Sequence, residues 1–228
     1  MRSKVIAILG MHRSGTSMLA GSLEQAGLYL GDVNTENVNN EKGSRESNFL
    51  MQFHEEILTE NRGSWALPPY DVIWSANKRT IRDFYIHKFR NQKVWGFKDP
   101  RTVFLAHGWK EAIPNLQYVG IFRHPSLVAQ SLAKRNGFSF QQGIDLWVRY
   151  NRKLIEVFKL KRFPIIEFVD DTTTMQKQLQ KVADKLELKS DINFDFLEDN
   201  LIHQKEIQEV KWEAMKLYNQ LKMIESRL

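Results

Sequence analysis

Lys4-Val-Ile-Ala-Ile-Leu-Gly10-Met-His-Arg-Ser-Gly15-Thr-Ser17 is the stretch on which the fold turns. Residues 4–9 are apolar and partly β-branched, the pattern of a short buried strand. Gly10 to Ser17 reads as a loop. Beyond it Met18, Leu19, Ser22, Leu23 and Ala26 recur at helical spacing, and Gly27 supplies the stop. Strand, glycine loop and helix in that order make a phosphate-cradling unit. Glycines let the backbone curl toward an anion, successive N–H groups turn inward, and the helix N-terminus adds partial positive charge. Around Gly15, the side chains of Arg13, Ser14, Thr16 and Ser17 can add donors. The loop lacks the Gly-Lys-Ser/Thr ending of a magnesium-nucleotide loop, because Thr16 stands in the lysine's place and the basic residue is Arg13.

Working outward, residues 94–97, 117–122 and 164–169 repeat the short apolar strand pattern. Amphipathic stretches after Ser47, after Ser75, after Arg101, from Pro125 to Asn136, over 141–160 and over about 173–187 predict helices between and around them. Phe49, Leu50, Phe53, Ile57 and Leu58 mark the apolar side of the first of these. Ile81, Phe84, Tyr85 and Phe89 mark that of the second. Trp147 and Tyr150 lie on the apolar stripe of the 141–160 helix and read as core. A last helix is expected over about 206–225, with Ile207, Val210, Ala214, Leu217, Leu221 and Ile224 at alternating spacings of three and four. Residues 29–47, 61–74 and 189–204 lack periodicity. Strands separated by helices predict a three-layer α/β fold, with a central mostly parallel sheet flanked by helices, in a single domain over residues 1–228.

Composition sets the outer limits. The chain has 228 residues, 42% hydrophobic and 26% charged, which suits a globular protein with a substantial core. With no cysteine, thiolate metal sites and cysteine nucleophiles are excluded. No apolar run approaches the ~20 residues of a membrane helix, and the first strand lacks a cleavage site behind it, so a cytoplasmic protein is expected. The net charge of +6 suits an anionic partner without choosing one.

Two further stretches narrow the choice. The third strand delivers Arg123 at its C-terminal end, where ligands sit in open α/β sheets. Ser131 follows inside the next helix. An Arg fork and a Ser hydroxyl on rigid elements suit a second phosphate. An ordinary strand-end ion pair is the alternative for Arg123. With the glycine loop, the pair implies a ligand carrying phosphates at both ends of a nucleoside.

Gly10-Met-His-Arg-Ser-Gly-Thr-Ser17 resembles the 5′-phosphosulfate loop of sulfotransferases, and Arg123 with Ser131 resembles that family's 3′-phosphate pair. Trp95-Gly-Phe-Lys-Asp-Pro-Arg-Thr102 and the run from Ile121 to Asn136 are similar to bacterial members, so the resemblance covers about residues 4–170. It implies a P-loop-containing nucleotide hydrolase-like fold, 3′-phosphoadenosine-5′-phosphosulfate (PAPS) as donor, 3′-phosphoadenosine-5′-phosphate (PAP) as product, and no metal. The implied reaction is in-line transfer of a sulfuryl group to a hydroxyl or amine of a carbohydrate or other small metabolite. Donor binding then falls to Arg13, Ser14, Gly15, Thr16, Ser17, Arg123 and Ser131. Arg13 would also stabilise charge where cytosolic members carry lysine.

The chain departs from the family in two places. Where cytosolic members have a catalytic His in Lys-Thr-His, it reads Lys98-Asp99-Pro100-Arg101. Carbohydrate- and protein-directed members use a Glu after the first helix. The 29–47 loop offers Glu36, Glu41 and Glu46, with Glu46 the best match as base and Asp99 the second candidate. Glu46 could instead simply favour a helix N-terminus. Lys98 and Arg101 are candidates for anion contacts or local ion pairs. His12 is either a ligand contact or an exposed loop residue. Nothing after residue 170 matches the family's glycine- and lysine-rich closing segment. A P-loop phosphotransferase and a noncatalytic anionic-polymer binder are the rival readings. The expected partner is a small-molecule or carbohydrate acceptor, with no nucleic acid and no membrane, and the expected assembly is a monomer or homodimer.

Overall fold

The computed structural model describes residues 3–36, 43–196 and 206–225; the candidate base Glu41 lies outside them. The chain begins with β1 (Lys4–Gly10), α1 (Thr16–Gln25), α2 (Asn48–Glu60), α3 (Ala76–Lys88), β2 (Val94–Lys98) and α4 (Thr102–Ala112). It continues through β3 (Gln117–Phe122), α5 (Pro125–Asn136), α6 (Phe140–Leu160), β4 (Ile165–Glu167), α7 (Thr172–Lys185) and α8 (Trp212–Glu225). The strands form one parallel sheet in the order β2-β1-β3-β4, with Ala7 opposite Phe97 on one side and Tyr118 on the other. The expected three-layer α/β fold is the one observed.

The alternation of β1 divides the core. Val5, Ala7 and Leu9 face one cluster, which holds Trp109, Trp147 and Tyr150; Ile6 and Ile8 face the other, which holds Leu19, Leu23 and Leu179. Both isoleucines are fully buried, which stabilises by roughly 1.5–3 kcal/mol each. Helices α1 and α7 therefore cover one face of the sheet, and the other helices cover the second. Among the described residues no helix is long and apolar enough to cross a membrane.

Local signals set most boundaries. Pro125 opens α5, and Gly137, at φ 70°, closes it. Ser75 caps α3 by accepting from the Lys78 N–H. Ser47 occupies the N-cap of α2, but its side chain makes no capping bond.

Two expectations require correction. Phe84 is exposed, because the buried face of α3 is built from Lys78, Arg82, Tyr85 and Phe89, and position 84 lies about 120° round the helix. The last helix begins at Trp212 rather than near 206. Residues 206–211 instead run along α5, where Gln130 donates to the Glu206 carbonyl at 2.8 Å and the Gln208 N–H donates to Ser126 at 2.9 Å. Of the expected seam, Ala214 and Leu221 are buried while Ile207 is exposed. The ends of β1, β2, β3 and β4 share one edge of the sheet, and the candidate site residues gather there.

Candidate active site

Close packing explains the two loop glycines. A Cβ on Gly10 would lie 2.5 Å from the Ile121 carbonyl oxygen. Gly15 has φ 87°, and a Cβ there would lie 2.7 Å from the Phe168 ring. Helix α1 starts at Thr16, so the N–H groups of its first turn have no helical partner and are available to an anion. The Ser14 N–H is spent on the Met11 carbonyl, and the Ser14 side chain is buried. The Ser14 Oγ has no hydrogen-bond partner among the described residues, so the hydroxyl keeps its donor free within the loop.

Arg13 adopts φ 67°, a left-handed conformation uncommon outside glycine. Its Nε donates to Ser131 Oγ at 2.8 Å, joining the loop to α5. Burial lowers the Arg13 pKa, and the charges of Arg135 and Arg123 lower it further. Arg123 lies 3.4 Å from Asp170 and over the Phe168 ring at 5.0 Å, and its buried Nε has no partner among the described residues. Trp147 fixes the strand end by donating to the Arg123 carbonyl at 2.9 Å. Burial lowers the Arg123 pKa, and Asp170 opposes that shift. A cationic cluster with unsatisfied donors is suited to an anion.

Glu46 reaches this edge from the long loop. Its Oε1 accepts from Lys98 Nζ at 2.5 Å, and Lys98 also donates to Ser17 at 3.3 Å. Lys98 is almost wholly covered, and Glu46 is only 13% exposed. The pair carries one positive and one negative charge, so it is a far weaker anion trap than the arginines. Glu36 is exposed.

Asp99 does not reach the same space. It is fully buried and does not line the cleft. Its Oδ1 accepts the Arg101 N–H at 2.8 Å and faces His54 Nδ1 at 3.4 Å; its Oδ2 accepts from Arg101 at 3.0 Å. His54 Nε2 accepts from Trp109 at 3.0 Å, which leaves the proton on Nδ1, toward Asp99. Burial acts to raise the Asp99 carboxyl pKa, but His54, Arg101 and His12 together hold it well below the usual carboxylate range. Asp99 thus anchors Arg101, which in turn binds Glu55 at 2.5 Å.

His12, Arg13, Thr16, Ser17, Glu46, Trp65 and Arg135 line a cleft of about 240 Å³. The His12 ring packs against Trp65 at 4.8 Å and Tyr150 at 5.8 Å. Burial, Arg101, Lys98 and Arg13 push its pKa down to about 3, against the pull of Asp99. The imidazole is therefore neutral at ordinary pH and can offer one donor and one acceptor. Its ordinary value is 6.5, so from there down to about 3 the unfolded chain binds a proton that the folded chain does not. The stability linked to His12 is full above that window and is lost as pH falls through it. His12→Gln is expected to flatten the acid-side loss of stability in urea unfolding at stepped pH. An unchanged slope would show that the ring is not enclosed.

The structure thus brings together Arg13 with Ser131, and Lys98 with Glu46 and Ser17. Sequence reasoning missed three contributors. Arg135 was readable in principle, since it lies one helical turn beyond Ser131 on the same face. His54 and Trp65 carry no local signal, because only tertiary packing gives them their neighbours.

No family model matches the chain, and no curated protein matches it. Solved structures do. The sulfotransferase domain from the curacin biosynthetic pathway aligns with a TM-score of 0.62 at 13% identity, over 97% of this chain and 98% of that one. The sulfotransferase domain of the Synechococcus PCC 7002 olefin synthase aligns with a TM-score of 0.61 at 17% identity, over 97% and 96%. A sulfotransferase from Alicyclobacillus acidocaldarius aligns with a TM-score of 0.53 at 14% identity, over 100% and 94%. The chain has the sulfotransferase-like α/β fold.

Proposed function

We propose that the protein is a PAPS-dependent sulfotransferase that moves a sulfuryl group to a hydroxyl or amine of a carbohydrate or other small metabolite. The observation that carries this reading is the Arg13–Ser131 bond with Arg123 close by, which makes one cationic cradle from the glycine loop and the end of β3. The N–H groups of Gly15, Thr16 and Ser17 would hold the 5′-phosphosulfate, and Arg123 with Ser131 the 3′-phosphate. The acceptor oxygen forms its bond to sulfur as the bond from sulfur to the bridging phosphate oxygen breaks. PAP leaves with that electron pair, Arg13 stabilises its charge, and the acceptor's proton passes to Glu46. Lys98 holds Glu46 Oε1, leaving Oε2 to receive the proton.

Calorimetry tests the donor. Preferential binding of PAP over ATP is expected, and Arg123→Ala should raise the PAP dissociation constant roughly 30- to 1000-fold. That is the cost of removing one partner from a desolvated charge pair. Equal affinity for PAP and ATP, or magnesium-dependent ATP turnover, would overturn the reading.

A further inference from the structure

Arg135 stands in the last turn of α5 and lines the cleft beside His12, Arg13, Ser17 and Glu46. Among the described residues no carboxylate pairs with it. Of the side-chain charges that act on Arg13, that of Arg135 is the strongest, and among the described residues the neutral Ser131 hydroxyl is the hydrogen-bond partner of Arg13. Arg135 is exposed at the cleft and its positive charge acts on Arg13; an anion held between two such guanidinium groups removes their repulsion and satisfies both forks.

The position of this arginine pair selects the anion. Arg123 is balanced by Asp170 at the end of β3, and neither Arg123 nor Ser131 lines the cleft. Arg135 instead shares the cleft with Glu46, the proposed base. In-line transfer places the moving group between the base and the bridging oxygen. We infer that Arg135 is a second guanidinium that, with Arg13, grips the transferable sulfuryl group of the donor rather than either phosphate of the nucleotide. This inference rests on the PAPS-dependent reading of the site.

PAP and PAPS differ by that sulfuryl group alone, so the pair of ligands isolates the contact. Arg135→Ala is expected to bind PAP within about 3-fold of the unaltered protein and PAPS at least about 10-fold more weakly, the loss of one charge-assisted contact. Arg135→Lys should recover part of the PAPS affinity by keeping the charge. Unchanged PAP affinity also reports an intact fold. Equal weakening toward both ligands, or no weakening toward either, overturns the inference while leaving the donor assignment in place. Failure of the unaltered protein to bind PAP overturns the donor assignment itself.

Discussion

Arg13→Ala is expected to slow sulfuryl transfer by about 100- to 1000-fold, the usual cost of losing one preorganised donor at a charge-developing oxygen. The loop holds this side chain in place at some conformational expense, since φ is 67° at Arg13. The hydrogen bond to Ser131 restricts it further. Arg13→Lys should fall between the two, because it keeps the charge but loses the Nε donor and the planar fork. Single-turnover transfer from radiolabelled PAPS, with the best acceptor from a screen of hydroxylated compounds, measures both. A rate in Arg13→Ala within 3-fold of the unaltered rate would remove Arg13 from the chemistry.

Glu46→Gln should lower the same rate by about 100- to 10 000-fold, the range for a positioned general base. The substitution keeps an amide oxygen that can accept from Lys98, so the covered ammonium is not left bare. Glu46→Ala would leave it bare, and destabilisation of the buried lysine would then mix with the catalytic effect. PAP binding to Glu46→Gln is expected to stay within a few-fold, since the role proposed for Glu46 is toward the acceptor and not the nucleotide. Full activity in that variant would eliminate Glu46 as base.

The site was only partly legible in the sequence, and the divide follows the range of the forces involved. The β1 pattern, the glycine spacing, Pro125 and Gly137 act through steric and backbone effects over a few residues, and each is where the sequence places it. The Arg13–Ser131 bond spans 118 positions. The family resemblance assigns these residues to the two phosphates of one donor, and their direct contact depends on the β1–β3 register, which no local pattern encodes. Asp99 is the second candidate base from its place in Lys98-Asp99-Pro100-Arg101, where the resembling family carries a catalytic His. Its burial depends on His54, which α2 brings from 45 positions away, together with Arg101, and no local pattern shows that contact. Residues 206–211 failed for the opposite reason: helical periodicity continues through Ile207 and Val210, but side chains of α5 bind that backbone instead.

The central position of β1 has a consequence for synthesis. Val5 pairs with Trp95, and Ile6 with Gln117, so β1 leaves the ribosome long before either neighbour. At ~5–20 residues per second, its two edges stay unpaired for roughly 5–20 s. Closing two such long loops is also entropically costly before any pairing compensates. Until both neighbours exist, β1 has two unpaired edges, each a template for pairing with another strand. The glycine loop that follows β1 therefore takes its final form only once β2 and β3 have paired with that strand.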